Sequence, residues 1–205
     1  MSKSRQPATR GAHKQDKRER IRQAAWELFC SDGYDGTTTR AVAARARVAV
    51  GTVFLYAPDK VDLLFLVMHD RLAATVDEAF GSLPRKAPVL DQWMHLFGKL
   101  FRMYGEQPGV SAAFVRAVPG AQGPNADRVN ALTFAFIHRV ASLLVEAQQR
   151  HEVATEIAPL MAAQNVFFLY FGSLTVWLSG MTTLDGALEM HLRPSLALFI
   201  RGLRP

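Results

Sequence analysis

The sequence predicts an all-α protein of about nine helices: an N-terminal three-helix head with a helix-turn-helix suited to DNA, followed by a larger helical body. Three observations predict it. Apolar residues recur three and four apart along most of the chain, as in Val89, Trp93, Leu96, Phe97, Leu100 and Tyr104. No stretch alternates apolar and polar residues with the two-residue period of a strand. Charge is uneven: residues 1–60 hold 12 Lys/Arg against 6 Asp/Glu, while residues 61–205 hold 12 of each. The whole net charge of +6 therefore sits in the first third and points that third at a polyanion.

Each element follows from local signals. Residues 1–15 are polar and basic and are expected to be a disordered tail, in which Lys3, Arg5, Arg10 and Lys14 either reach DNA or stay solvated. The head is expected over residues 16–60. Its first helix runs from Asp16 to Ser31, with Ile21, Ala24, Ala25, Leu28 and Phe29 on one face and Gly33 as a left-handed stop. Two short helices follow, Thr38 to Ala46 and Val50 to Ala57. Pro58-Asp59-Lys60 then breaks the chain, and Asp59 caps a long fourth helix over Val61 to Phe80. The body is expected over residues 61–205. After the Pro-containing loop Gly81 to Pro88, helices are predicted over Val89–Tyr104, Ser111–Val118, Asn125–Arg150, Thr155–Leu178 and Thr183–Leu203. Pro194 should make the last one irregular.

The segment from 41 to 49, Ala-Val-Ala-Ala-Arg-Ala-Arg-Val-Ala, suits two short helices in close contact. Val42, Ala43, Ala46 and Val48 form a small inner face, and Arg40, Arg45 and Arg47 point outward. A compact pair of short helices with a basic outer face is what a DNA-reading helix-turn-helix requires.

Longer spaced runs carry a resemblance. Gly33-Tyr34-Asp35-Gly36-Thr37-Thr38-Thr39-Arg40-Ala41-Val42-Ala43, then Val48-Ala49-Val50-Gly51-Thr52-Val53-Phe54-Leu55-Tyr56, then Lys60 and Leu63-Leu64 resemble the tetracycline-repressor (TetR) family of bacterial regulators over about residues 17–65. The resemblance implies that Thr38 caps the second helix, and that Thr39 and Arg40 meet DNA backbone or a base edge. It implies that Val50, Gly51, Thr52 and Leu55 enter the major groove, and that Tyr56 and Lys60 contact phosphate. Val53 and Ala57 are read as core. Three departures stand out. Ala41 removes the acidic half of a capping box. Arg47 stands where the turn usually has glycine. Phe54 lacks the usual tyrosine hydroxyl, which makes it a weaker contact than Tyr56.

For the body, the resemblance implies an effector site among helices four to seven, a homodimer made by the last two helices, and control of DNA binding by a small molecule. Most such proteins repress, so a repressor of a palindromic operator is expected, with activation left open. The aromatic content suits an apolar pocket, most of it serving as core. The ligand contacts expected are Phe97, Phe101, Tyr104, Phe168 and Phe171, with His138 as a polar group. Leu184, Leu188, Leu192, Leu196 and Phe199, with Trp177, are expected at the dimer interface.

Other classes find little support. The chain has no P-loop, HExxH, GxSxG or Cys/His metal spacing, so no enzyme, metal or cofactor is expected. Ile157 to Leu184 lacks any charged residue, but Gln164 and Asn165 interrupt it and no Lys/Arg cluster flanks it. It reads as a helix buried between its own core and a partner subunit rather than a membrane span. The single Cys30 cannot form an internal disulfide, and Met1 to Lys14 has no apolar run; the expected compartment is the cytoplasm.

Overall fold

The computed structural model describes the chain from residue 10, with side chains from Lys14, and every regular element in it is helical. In chain order the elements are α1 (Arg10–Ser31), α2 (Gly33–Gly36), α3 (Thr39–Ala46), α4 (Val50–Phe54), α5 (Lys60–Gly81), α6 (Val89–Gly105), α7 (Pro108–Ala117), α8 (Pro124–Gln149) and α9 (Pro159–Leu178). A π-helical segment, Gly186–Leu192, then runs into α10 (Arg193–Arg201).

The local signals set most boundaries. Gly33 has φ 76 and stops α1. Thr38 caps α3, its hydroxyl accepting the N–H of Ala41 at 3.1 Å, so the cap survives without an acidic partner. Asp59 caps α5 in the same way, accepting from Asp62 N at 2.7 Å. In the body, α7 begins at Pro108 rather than Ser111 and α9 at Pro159 rather than Thr155, and four further differences appear. The first helix begins at Arg10 rather than Asp16, so residues 10–15 of the expected tail are helical; Lys3 and Arg5 lie outside the described residues. A single extra turn, α2, follows Gly33. The third head helix ends at Phe54, three residues early. The final helix starts with π turns just before Pro194. Proline has no N–H to offer the carbonyl of residue 190, so the backbone widens there instead of continuing in α geometry.

Arg47 has φ 54 and ψ 50, the left-handed conformation a glycine would take more easily. The strain is offset from α1: the Arg20 guanidinium donates to Ala46 O at 2.7 Å and to Arg47 O at 2.9 Å, satisfying the last carbonyls of α3. Arg47→Gly should keep both bonds and stabilise the head by up to about 1 kcal/mol, seen as a rise of about 2–4 °C in the melting temperature.

One hydrophobic core runs through head and body. Helix α5 is its spine. Six consecutive residues, Leu63 to Met68, are buried because α1 covers one side and α6 and α8 the others. Charged contacts fasten the head to this spine. Asp70 of α5 meets Arg18 (3.3 Å) and Arg22 (3.7 Å) of α1 and Arg128 (3.6 Å) of α8. Burial works against its carboxylate, but hydrogen bonds from His69 and Arg18 outweigh that and hold its pKa below the ordinary value.

Candidate DNA interface and ligand cavity

The head presents a compact tip. Val42, Ala43, Ala46, Val53 and Ala57 are buried and hold α3 against α4, as their small size allows, while Val48 is half-buried. Thr38, Arg40 and Gly51 are exposed, and Leu55 is 82% exposed. An apolar side chain this open has no partner within the chain. Gly51 has no heavy atom within 4 Å of where a Cβ would stand, so its value is the open surface it leaves for an approaching backbone. Thr39, Val50 and Thr52 are half-buried at the edge of the tip, and Phe54 is exposed beside Leu55. Arg45 and Arg47 are exposed, though Arg45 is paired with Glu27 at 2.7 Å.

Tyr56 and Lys60 are tethered within the chain. The Tyr56 hydroxyl donates to Lys14 O at 3.0 Å, fixing the start of α1 to the turn that follows α4. The Lys60 ammonium donates to Asp35 O at 3.1 Å and lies 4.4 Å from the centre of the Tyr34 ring. Both shape the edge of the tip.

A second tether leads to the body. Asp62, wholly buried in the first turn of α5, accepts the N–H of Asn125 (2.9 Å) and of Ala126 (3.1 Å) at the start of α8, and the Asn125 amide at 2.6 Å. The same amide nitrogen donates to Tyr56 O at 2.8 Å. A carboxylate at a helix N-terminus meets both free N–H groups and the helix dipole. The chain must come very close here. Gly123 has φ 125, and a Cβ on it would stand 2.5 Å from Asp62 Oδ1. No sequence signal marks this latch, because Asp62 and Asn125 are 63 residues apart.

The body holds a cavity of about 260 Å³. Leu72 and Val76 of α5, Leu100 of α6, Phe114 of α7 and Phe136 of α8 are buried residues of its wall. The mouth lies between α8 and α9, where Asn130 and Phe168 are exposed. No charged side chain lines it. Of the predicted contacts, Tyr104, Phe168 and Phe171 line the wall, and the other three do not. Phe97 stacks behind Tyr170 at 4.6 Å, and Phe101 lies between Tyr170 and Trp177, stacked on the latter at 5.4 Å. His138 is exposed, two residues beyond Phe136 and so about 200° around α8 from the wall. Tyr170, Phe167 and the aliphatic wall residues Leu72, Val76 and Leu100 were not singled out as contacts. Tyr170 and Phe167 share an α9 face with Phe171, and that spacing was the available signal.

The last helices correct the expected interface. Leu188, Leu192 and Leu196 are buried inside the chain's own core, with Leu184 and Phe199 half-buried, and Trp177 stacks on Phe101. The outward apolar residues are others: Met161 and Phe168 on α9, Met190 on the π segment and Leu198 on α10, each more than 60% exposed. Helices α8 and α9 are long and apolar enough to cross a membrane, yet each turns one face into this core.

Comparisons with known proteins agree with this architecture. Residues 21–67 match the family model described as bacterial regulatory proteins, tetR family. The chain is 26% identical to the HTH-type transcriptional repressor KstR of Rhodococcus jostii over 191 residues, covering 93% of this chain and 86% of that one. Among solved structures it is similar to Thermus thermophilus FadR, a TetR family repressor in complex with lauroyl-CoA. There the TM-score is 0.70 at 26% identity, over 87% of this chain and 93% of that one. Bacillus subtilis FadR in complex with stearoyl-CoA has a TM-score of 0.65 at 17% identity, over 89% and 95% of the two chains.

Proposed function

We propose that the chain is a DNA-binding transcriptional repressor of the tetR family that answers to a small molecule, and that this molecule enters the body as a medium-length acyl chain. The observation that carries the proposal is the uncharged, aromatic-walled cavity whose α8 wall begins at the latch to the reading helix. At ~30 Å³ for a group the size of a water molecule, the cavity takes roughly nine methylene-sized groups. A charged head group, which such a wall cannot solvate, stays at the mouth. The lauroyl-CoA held by the Thermus relative has this chemistry.

In this reading residues 16–60 form the head and residues 61–205 the effector and dimer unit. Thr38, Thr39 and Arg40 contact backbone or a base edge. Val50, Gly51, Thr52 and Leu55 meet the major groove, and Tyr56 and Lys60 border the phosphates. Two heads of a homodimer dock in successive major grooves of a palindrome. The protein works in the cytoplasm and carries out no catalysis. Ligand between α5, α6, α8 and α9 shifts α8, and the Asn125 bond to Tyr56 O passes that shift to the reading helix.

The test starts from an operator selected from random DNA. Fluorescence anisotropy should show affinity falling by about 10³ or more between 50 and 200 mM salt, as several phosphates are neutralised. Lauroyl-CoA should release the DNA. A complex that stays intact at saturating lauroyl-CoA and shorter acyl-CoAs would sink the acyl reading.

A further inference from the structure

The cavity contains one polar feature that an acyl chain alone does not explain. Tyr104 of α6 and Tyr170 of α9 both line it, each only 4% exposed. The rings are held in place: Tyr170 stacks on Phe97 at 4.6 Å, and Tyr104 lies parallel to Phe114 at 6.4 Å. Their hydroxyls therefore have little freedom to turn elsewhere. Other polar groups of the wall are engaged or peripheral. The Thr133 hydroxyl donates to Val129 O at 3.0 Å, and Asn130 stands exposed at the mouth.

The inventory of protons is decisive. Two phenols carry two donor protons. Among the described residues no carbonyl or carboxylate accepts either. Burial raises both phenol pKa values, so neither proton is lost in the neutral range. A hydrocarbon pressed against these O–H groups leaves them without an acceptor, which is unfavourable in so apolar a site. An oxygen placed there satisfies them.

We infer that the Tyr104–Tyr170 pair is a polar anchor, and that the effector carries a hydrogen-bond-accepting oxygen, of the ketone type, on the part of its apolar body that lies deepest in the cavity. This oxygen is separate from any head group, because the pair sits on the inner wall while the mouth is at Asn130 and Phe168. The inference rests on the reading of the cavity as the effector site and adds the chemical class that this site selects.

The experiment uses two isosteric probes without a head group, 2-heptanone and 2-methyl-1-heptene, titrated calorimetrically into the full-length protein and into its Tyr104→Phe/Tyr170→Phe variant. Wild type should lose about tenfold in ketone affinity on double substitution, the ordinary worth of a buried neutral hydrogen bond. Alkene affinity should stay within about twofold, which also reports an intact cavity. Each single variant keeps one donor and should retain part of the ketone preference. Equal changes for both probes would mean the tyrosines only shape the wall, and would overturn the anchor. So would a ketone that fails to bind the wild type. Lauroyl-CoA titrated in parallel separates the two ideas: its failure to bind, beside a tyrosine-dependent ketone preference, removes the acyl reading and leaves the anchor standing.

Discussion

Asp62→Ala should destabilise the protein by about 3 to 5 kcal/mol. The carboxylate is fully buried and accepts two backbone N–H groups and one amide. Each buried donor left without an acceptor costs roughly 1–3 kcal/mol, partly recovered where water can enter the space vacated. The first turn of a 26-residue helix also loses its compensating negative charge. For a chain of this size the melting temperature should fall by on the order of 10 °C. Asp62→Asn should be nearly as harmful, since its amide would turn an N–H toward N–H groups. Asn125→Ala separates stability from signalling. It leaves Asp62 its two backbone donors and removes the amide's bonds to Asp62 Oδ2 and to Tyr56 O. It should lower stability by about 1–2 kcal/mol while weakening the effect of effector on operator affinity. Thermal denaturation and anisotropy on the same samples check both. If Asn125→Ala released DNA as fully as wild type at the same effector occupancy, the latch would not be the route between cavity and head.

The parts of the molecule that were legible in the sequence are those whose causes are local. Gly33 stops a helix, and Thr38 and Asp59 cap helices, through atoms within four residues, so reading along the chain finds them. The inward face Val42, Ala43 and Ala46 was legible for the same reason. Arg47 was marked by the resemblance, as standing where the turn usually has glycine, and its backbone is left-handed. Its compensation by Arg20, 27 residues earlier, was not marked. The Asp62–Asn125 latch and the Tyr56–Lys14 and Lys60–Asp35 bonds join distant segments, and no spacing rule reaches them.

Periodicity also failed in a specific way. A four-residue spacing shows that Leu188, Leu192 and Leu196 share a face, but not whether that face meets the chain's own core or another molecule. The structure turns them inward. For the cavity, aromatic content marked the right helices and could not rank the rings on them. Phe97 and Phe101 are as aromatic as Tyr104 and lie one layer behind it, stacked on Tyr170 and Trp177.

The corrected outward face leads to the second large effect. Leu198→Glu should abolish dimerisation and, with it, operator binding. Leu198 is 70% exposed, so the substitution touches little inside one chain, and a change at such a site ordinarily alters fold stability by no more than about 0.5 kcal/mol. In a two-fold dimer the same position is covered from both sides, so two carboxylates would be buried without partners. Helix α9 offers them none, having no basic residue from Pro159 to Leu178, and Arg201, one turn on along α10, is exposed, so pairing with it does not remove the cost of burying the carboxylate. Thr175→Glu, on the exposed side of α9, should act in the same direction. Losing the partner removes the second half-site contact, and the gain from holding two linked sites is about 10²–10⁴ in affinity. Sedimentation should therefore show a folded monomer, with helical content and lauroyl-CoA binding retained, and anisotropy should show operator binding reduced to the level of unrelated DNA. A Leu198→Glu protein that stayed dimeric and bound operator normally would mean the subunits meet elsewhere, and that this apolar face is covered by something other than a second copy.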